Sequence, residues 1–167
     1  SKEHYEKVIS TRSYQDRLDT LERLGHSSIK TCCGGIVGMG ESTHDRIEFL
    51  MQLTKLNPAP MSVPINLLIK VPGTPLEKLP DVDPIEFVRM VAITRIVLPT
   101  SMVRLSAGRN QMSESTQSLC FFAGANSIHY GEKLLTTPLP RPKADQDLFR
   151  KLGINPQHEH TAEPITT

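Results

Sequence analysis

Four short apolar runs, at 29–34, 63–71, 102–107 and 127–130, alternate with segments whose apolar residues recur at helical spacing, and this order constrains the fold more than any single residue does. The helical segments are 14–24, where Tyr14, Leu18, Leu21 and Leu24 share a face, then 43–54, with Ile47, Leu50, Met51 and Thr54, then 84–98, 111–123 and 144–152. Strand follows strand at intervals of roughly 25 to 40 residues, the rhythm of a parallel sheet whose strands are joined by crossover helices.

The helix ends are marked locally. Ser13 with Asp16, and Ser42 with Asp45, have the spacing of an N-cap serine and a carboxylate three positions on, each able to satisfy the other's backbone N–H. Asp83, Pro84 and Glu86 form the clearest start: a cap acceptor, a proline at the first helical position, and a carboxylate placed to reach back. Gly25, Asn57-Pro58, Pro99, Gly124 and Gly153 stand where these helices should stop.

The expected class is α/β, with about four parallel strands and their crossover helices. A closed (β/α)8 TIM-type barrel takes about 250 residues, and this chain has 167. Because the pattern opens on a helix, as though a strand had stood before it, the chain reads as the C-terminal half of such a barrel. Residues 1–154 would form that partial barrel domain, with a proline-rich connector at 138–143, and 155–167 a polar C-terminal tail. Half a barrel leaves two strand edges and an inner face uncovered, which favours association.

Charge and composition exclude several partners. Lys plus Arg number 19 against 18 Asp plus Glu, and no basic stretch is interleaved with aromatics, so nucleic acid is not expected. The most apolar stretch, 87–98, is broken by Arg89 and Arg95, so no membrane span is expected either. The opening SKEHYEKVIS has no apolar run of the kind a secretory signal needs, and Ser1 in place of Met implies a missing upstream segment. Cys32, Cys33 and Cys120 lack disulfide-framework spacing and point to a reducing compartment.

Strands buried on both faces normally consist of Val, Ile and Leu. Three of the expected strands carry a polar side chain instead: Cys32 in IKTCCGG, Asn66 in VPINLLIK and Arg104 in SMVRLSAG. A guanidinium removed from water costs several kcal/mol unless it is paired, so Arg104 should meet either a carboxylate on a neighbouring strand or an anionic or metal-containing ligand. Asn66 reads either as a satisfied core amide or as a two-point contact for a polar ligand. Cys32 and Cys33 point to opposite faces, and only one of them can reach a barrel interior.

Cys120, beside Phe121 and Phe122, reads as core. Of the six histidines, only His129 lies near the candidate residues, and His158 and His160 fall in the polar tail. The segment GGIVGMGE, 34–41, follows a strand and opens a helix like a phosphate cradle, but it lacks the Lys-Ser/Thr of a P-loop.

Taken together, these segments resemble one family. Gly34, Ile36, Gly38 and Glu41 match the GxIxGxxE pattern of radical S-adenosylmethionine enzymes. TRSYQDRLDTLE, TCCGGIVGMGE, SVPINLLIKVPGTPL, PTSMVRLSAGRNQM and GANSIHYGEKLLTT resemble the biotin synthase family segment by segment, from about Ser1 to Pro156.

The resemblance implies a (β/α)8 barrel and radical-driven sulfur insertion into dethiobiotin. A 4Fe-4S cluster would act on S-adenosylmethionine and a 2Fe-2S cluster would supply sulfur. It also implies a homodimer in the cytoplasm, or in a mitochondrion, served by a reductant such as flavodoxin or ferredoxin. Carried over by position, Cys32 and Arg104 match ligands of the 2Fe-2S cluster, Asn66 matches a contact to the dethiobiotin ureido ring, and Arg17, Ile36 and Ile69 match contacts to S-adenosylmethionine. The CxxxCxxC motif that holds the 4Fe-4S cluster is absent, and the chain alone is expected to be inactive. Two other readings stay open: a different radical S-adenosylmethionine enzyme, or a non-catalytic half-barrel that binds a partner.

Overall fold

The structure, a computed structural model, describes residues 1–131, 133–134, 137–138 and 142–157. Two helices, α1 (Lys2–Val8) and α2 (Tyr14–Gly25), precede an alternation of β1 (Gly35–Val37), α3 (Thr43–Thr54), β2 (Ser62–Leu67), α4 (Pro84–Val97), β3 (Met102–Leu105), α5 (Glu114–Phe122) and β4 (Ser127–Ile128). A short antiparallel pair, β5 (Lys133–Leu134) and β6 (Thr137–Pro138), leads to α6 (Pro142–Leu152). The four strands pair in parallel in the order β1-β2-β3-β4, and β1 and β4 are not joined. The fold is thus α/β, an open half of a TIM-type barrel.

The helix starts follow their local chemistry. Ser13 and Asp16 close a reciprocal capping box on α2, and Ser42 and Asp45 do so on α3. On α4, Asp83 Oδ1 accepts from the N–H of Ile85 at 2.7 Å, whereas Glu86 does not reach back to the cap but faces Arg89 and Arg46. α5 starts at Glu114 rather than 111, because Ser113 caps it and 109–111 form a single 3-10 turn.

The expected strand at 29–34 is displaced. Only Cys32 makes a parallel bridge, to Ser62, and the regular strand begins at Gly35. The cause is Pro64. Ser62 donates to Thr31 O and accepts from Cys33 N, but the next rung would need an N–H from Pro64, which has none. The strands expected at 63–71, 102–107 and 127–130 are shorter, ending at Leu67, Leu105 and Ile128, and α1 lay outside the expected pattern. Of the expected tail, residues 158–167 lie outside the described ones, with His158 and His160 among them.

One face of the sheet carries the core. Val63, Ile65, Val103 and Leu105 are almost wholly buried against Phe87, Val91 and their neighbours on the helices. Each such side chain contributes about 1.5–3 kcal/mol by leaving water. Among the described residues, no helix is long and apolar enough to cross a membrane.

Candidate functional site

Side chains alternate across a strand, so with Val63, Ile65, Val103 and Leu105 committed to the helices, their neighbours occupy the opposite face. Parallel register aligns them: Cys32 with Ser62, Ile36 with Asn66, Pro64 with Arg104, and Arg104 with Ser127. Cys32, Ile36, Asn66 and Arg104 therefore share the face that a closed barrel would turn inward.

The two adjacent thiols separate as alternation requires. Cys32 is exposed, while Cys33 packs against the core. Burial raises the Cys33 thiol above its ordinary pKa, the Arg17 guanidinium partly offsets this, and Cys32 adds to it. Cys120 is fully buried on α5, which pushes its thiol up to about 11 and leaves it chemically inert.

Arg104 is half-buried, and its Nε donates to Ser127 Oγ at 2.9 Å. No carboxylate pairs with it among the described residues. Strand spacings of about 4.8 Å and a rise of about 3.3 Å per residue put the Cys32 and Arg104 backbones roughly 12 Å apart, a gap that a long guanidinium and a small bound group can close. The Asn66 amide is already engaged: its Nδ2 donates to Gly35 O at 3.0 Å and its Oδ1 accepts from Ala107 N at 3.0 Å. It fastens β2 between β1 and the turn after β3, and it retains one donor and one acceptor position for a ligand.

His129 follows β4 and joins this neighbourhood. Burial, with the positive charge of Arg104 adding to it, lowers its pKa from the ordinary value. An NMR titration of its ring protons is expected to give a midpoint below about 6.5, moving upward in Arg104→Met; an unmoved midpoint would separate the two groups. Because the folded chain holds this proton less well than the unfolded one, the associated stability is full above about pH 6.5 and declines as pH falls towards the folded midpoint.

The GxIxGxxE segment has a definite local structure. The Glu41 carboxylate, nearly buried, accepts from the N–H groups of Gly38 at 2.9 Å and Met39 at 2.7 Å, and Arg46 Nε holds it at 2.8 Å. Gly38 sits at φ 104°, a conformation that side chains other than glycine rarely adopt. Beside this turn lies a largely apolar cleft of about 490 Å³ whose lining includes Arg17, Tyr14, Cys33, Gly34, Ile36 and Phe49. Two of the three residues assigned to S-adenosylmethionine, Arg17 and Ile36, meet there. Ile69 does not line it.

Two residues escaped the sequence reading. The fully buried guanidinium is that of Arg109, which is 0% exposed and paired with Asp145, itself 2% exposed. Ser62 is also 0% exposed, and its Oγ has no hydrogen-bond partner among the described residues. The only signal for Ser62 was a serine just before the expected strand at 63–71.

These groups fit part of an iron–sulfur site. One accessible thiol and one half-buried guanidinium lie on the open face, with the orphaned Ser62 hydroxyl buried beside the thiol's strand, which suits a small sulfide-bridged group. A 4Fe-4S cluster does not fit this chain: among the described residues no three His, Cys, Asp or Glu side chains are grouped to hold a metal ion.

An open α/β half-barrel with its polar site residues on the inner face of a parallel sheet is the class that the geometry defines. The chain belongs to the Biotin and Thiamin Synthesis associated domain family, whose model matches residues 64–155. It is similar to proteins named biotin synthase: 58% identical over 157 residues to that of Marinobacter nauticus, covering 94% of this chain and 45% of the relative. The biotin synthase of Yersinia enterocolitica is 60% identical over 161 residues, covering 96% and 46%, and that of Buchnera aphidicola is 55% identical over 161 residues, covering 96% and 47%. The chain spans somewhat under half the length of these relatives.

Proposed function

We propose that this chain forms the C-terminal half-barrel of a biotin synthase, a radical S-adenosylmethionine enzyme that inserts sulfur into dethiobiotin. The observation that carries the reading is the placement of Cys32, Asn66 and Arg104 on one open sheet face, in a chain 55% to 60% identical to biotin synthases. When bound, the clusters and S-adenosylmethionine would supply the radical chemistry and the sulfur.

In this reading, the residues of the chain hold and orient. Cys32 and Arg104 are two ligands of the 2Fe-2S cluster. Asn66 turns its remaining amide donor and acceptor to the ureido ring of dethiobiotin. Arg17 and Ile36 offer a charge and an apolar edge to S-adenosylmethionine in the cleft beside β1, whereas Ile69 lies outside that cleft and is given no contact there. The half-barrel works in the cytoplasm as part of a homodimer, with a flavodoxin or ferredoxin as reductant. With one thiol and one guanidine on the inner face, catalysis requires ligands beyond those in this sequence.

Anaerobic treatment of the protein with ferrous iron and sulfide is expected to produce visible absorbance. Cys32→Ala should diminish it and Cys33→Ala should leave it, since Cys33 packs on the core side of the sheet. A colourless wild-type protein, or dependence on Cys33, would overturn the assignment.

A further inference from the structure

We propose that Ser62 is a further residue of this site and that its hydroxyl donates a hydrogen bond to the sulfur-bearing group held at Cys32. The inference rests on the iron–sulfur reading of the inner face and gives the Ser62 hydroxyl a specific bond within it.

The placement of Ser62 is fixed by backbone bonding. Ser62 N donates to Thr31 O at 3.3 Å and Ser62 O accepts from Cys33 N at 2.9 Å, so Cys32 and Ser62 form a directly opposed parallel pair. Alternation with Val63 and Ile65, both in the core, puts the Ser62 side chain on the Cys32 face. The hydroxyl is wholly buried and yet unpartnered among the described residues.

Neighbouring serines behave differently. Ser101 Oγ donates to Pro60 O at 2.6 Å, and Ser127 Oγ accepts from Arg104. Buried hydroxyls are almost always satisfied, so an exception beside a candidate metal ligand points to a partner that arrives with the ligand. Sulfide and thiolate sulfur accept hydrogen bonds, and each such bond stabilises the more negative, reduced state of a cluster. A donor fixed on the adjacent strand would also orient the group without occupying a coordination position.

The test compares Ser62→Ala with Ser101→Ala and the wild type. In the metal-free protein, Ser62→Ala should leave the thermal midpoint unchanged or raise it, since no protein bond is lost, whereas Ser101→Ala should lower it. After loading with iron and sulfide, Ser62→Ala should shift the Fe–S stretching bands in resonance Raman spectra and move the reduction midpoint to a more negative potential. If the chromophore forms and depends on Cys32 while Ser62→Ala leaves bands and midpoint unmoved, the Ser62 assignment alone is overturned. A metal-free midpoint that falls as far as in Ser101→Ala would overturn it too, by showing that the hydroxyl serves the fold. If the wild type takes up no chromophore, the iron–sulfur reading falls and this inference with it.

Discussion

Asp145→Ala is expected to destabilise the chain by about 3–5 kcal/mol, because it leaves the Arg109 guanidinium buried and uncompensated. Arg109 is completely enclosed and reaches three other parts of the fold from the turn that carries it. Its Nη1 donates to Asp145 Oδ2 at 3.3 Å and to His129 O at 3.4 Å, its Nη2 pairs with Asp145 Oδ1 and donates to Gln117 Oε1 at 3.1 Å, and Nε donates to the same oxygen at 3.3 Å. The turn after β3, helix α5, the end of β4 and helix α6 are therefore tied to one charge. In a domain of this size the loss corresponds to a fall in melting temperature of roughly 6–20 °C. Replacing both partners, as Arg109→Met with Asp145→Leu, should recover most of it, because no charge is then left without water or partner. Denaturant unfolding of the single and double variants measures this, and a single-variant loss below about 1 kcal/mol would show that other groups bear the Arg109 charge.

The same residue shows where the sequence was readable and where it was not. Arg104 drew attention because it interrupts an apolar strand pattern, yet it is only half-buried. Arg109 lies in a polar turn, RNQ, that looks like surface. Its burial arises from α6, which comes back over it from a position 36 residues along the chain. Helix starts were legible because a cap is made within four residues: Ser13 with Asp16 and Ser42 with Asp45 needed no tertiary information. The start of β1 was not, because it depends on the missing N–H of Pro64 in another strand. The face shared by Cys32, Asn66 and Arg104 followed from alternation alone, whereas the double engagement of the Asn66 amide depends on Gly35 and Ala107, which only the sheet brings near.

Gly34→Ala is expected to be the second severe substitution, at about 3 kcal/mol or more, and the reason is proximity rather than backbone conformation. A Cβ at Gly34 would lie 1.9 Å from Pro64 O and 2.7 Å from Pro64 Cδ and Cγ. Backbone and a rigid ring cannot turn aside as a flexible side chain can, so β1 must move away from β2. The neighbouring Gly35 meets only the Phe49 ring, at 3.0 Å, which has room to shift, and Gly73, at φ 79°, has nothing within 4 Å. Gly35→Ala should therefore cost less than Gly34→Ala. Gly73→Ala should lose only the left-handed backbone preference, about 1–2 kcal/mol. Hydrogen exchange adds a local reading: in Gly34→Ala the amides of Cys33 and Leu68, bonded at 2.9 Å to Ser62 O and Val37 O, should lose protection before the β2–β3 rungs do. Equal losses in Gly34→Ala and Gly73→Ala would refute the steric argument. The first glycine of GxIxGxxE is thus required by the contact between two strands, and that contact carries Cys32 and Ile36 on one side and Asn66 on the other. A methyl group there would displace the candidate ligand and the cleft together, without touching either.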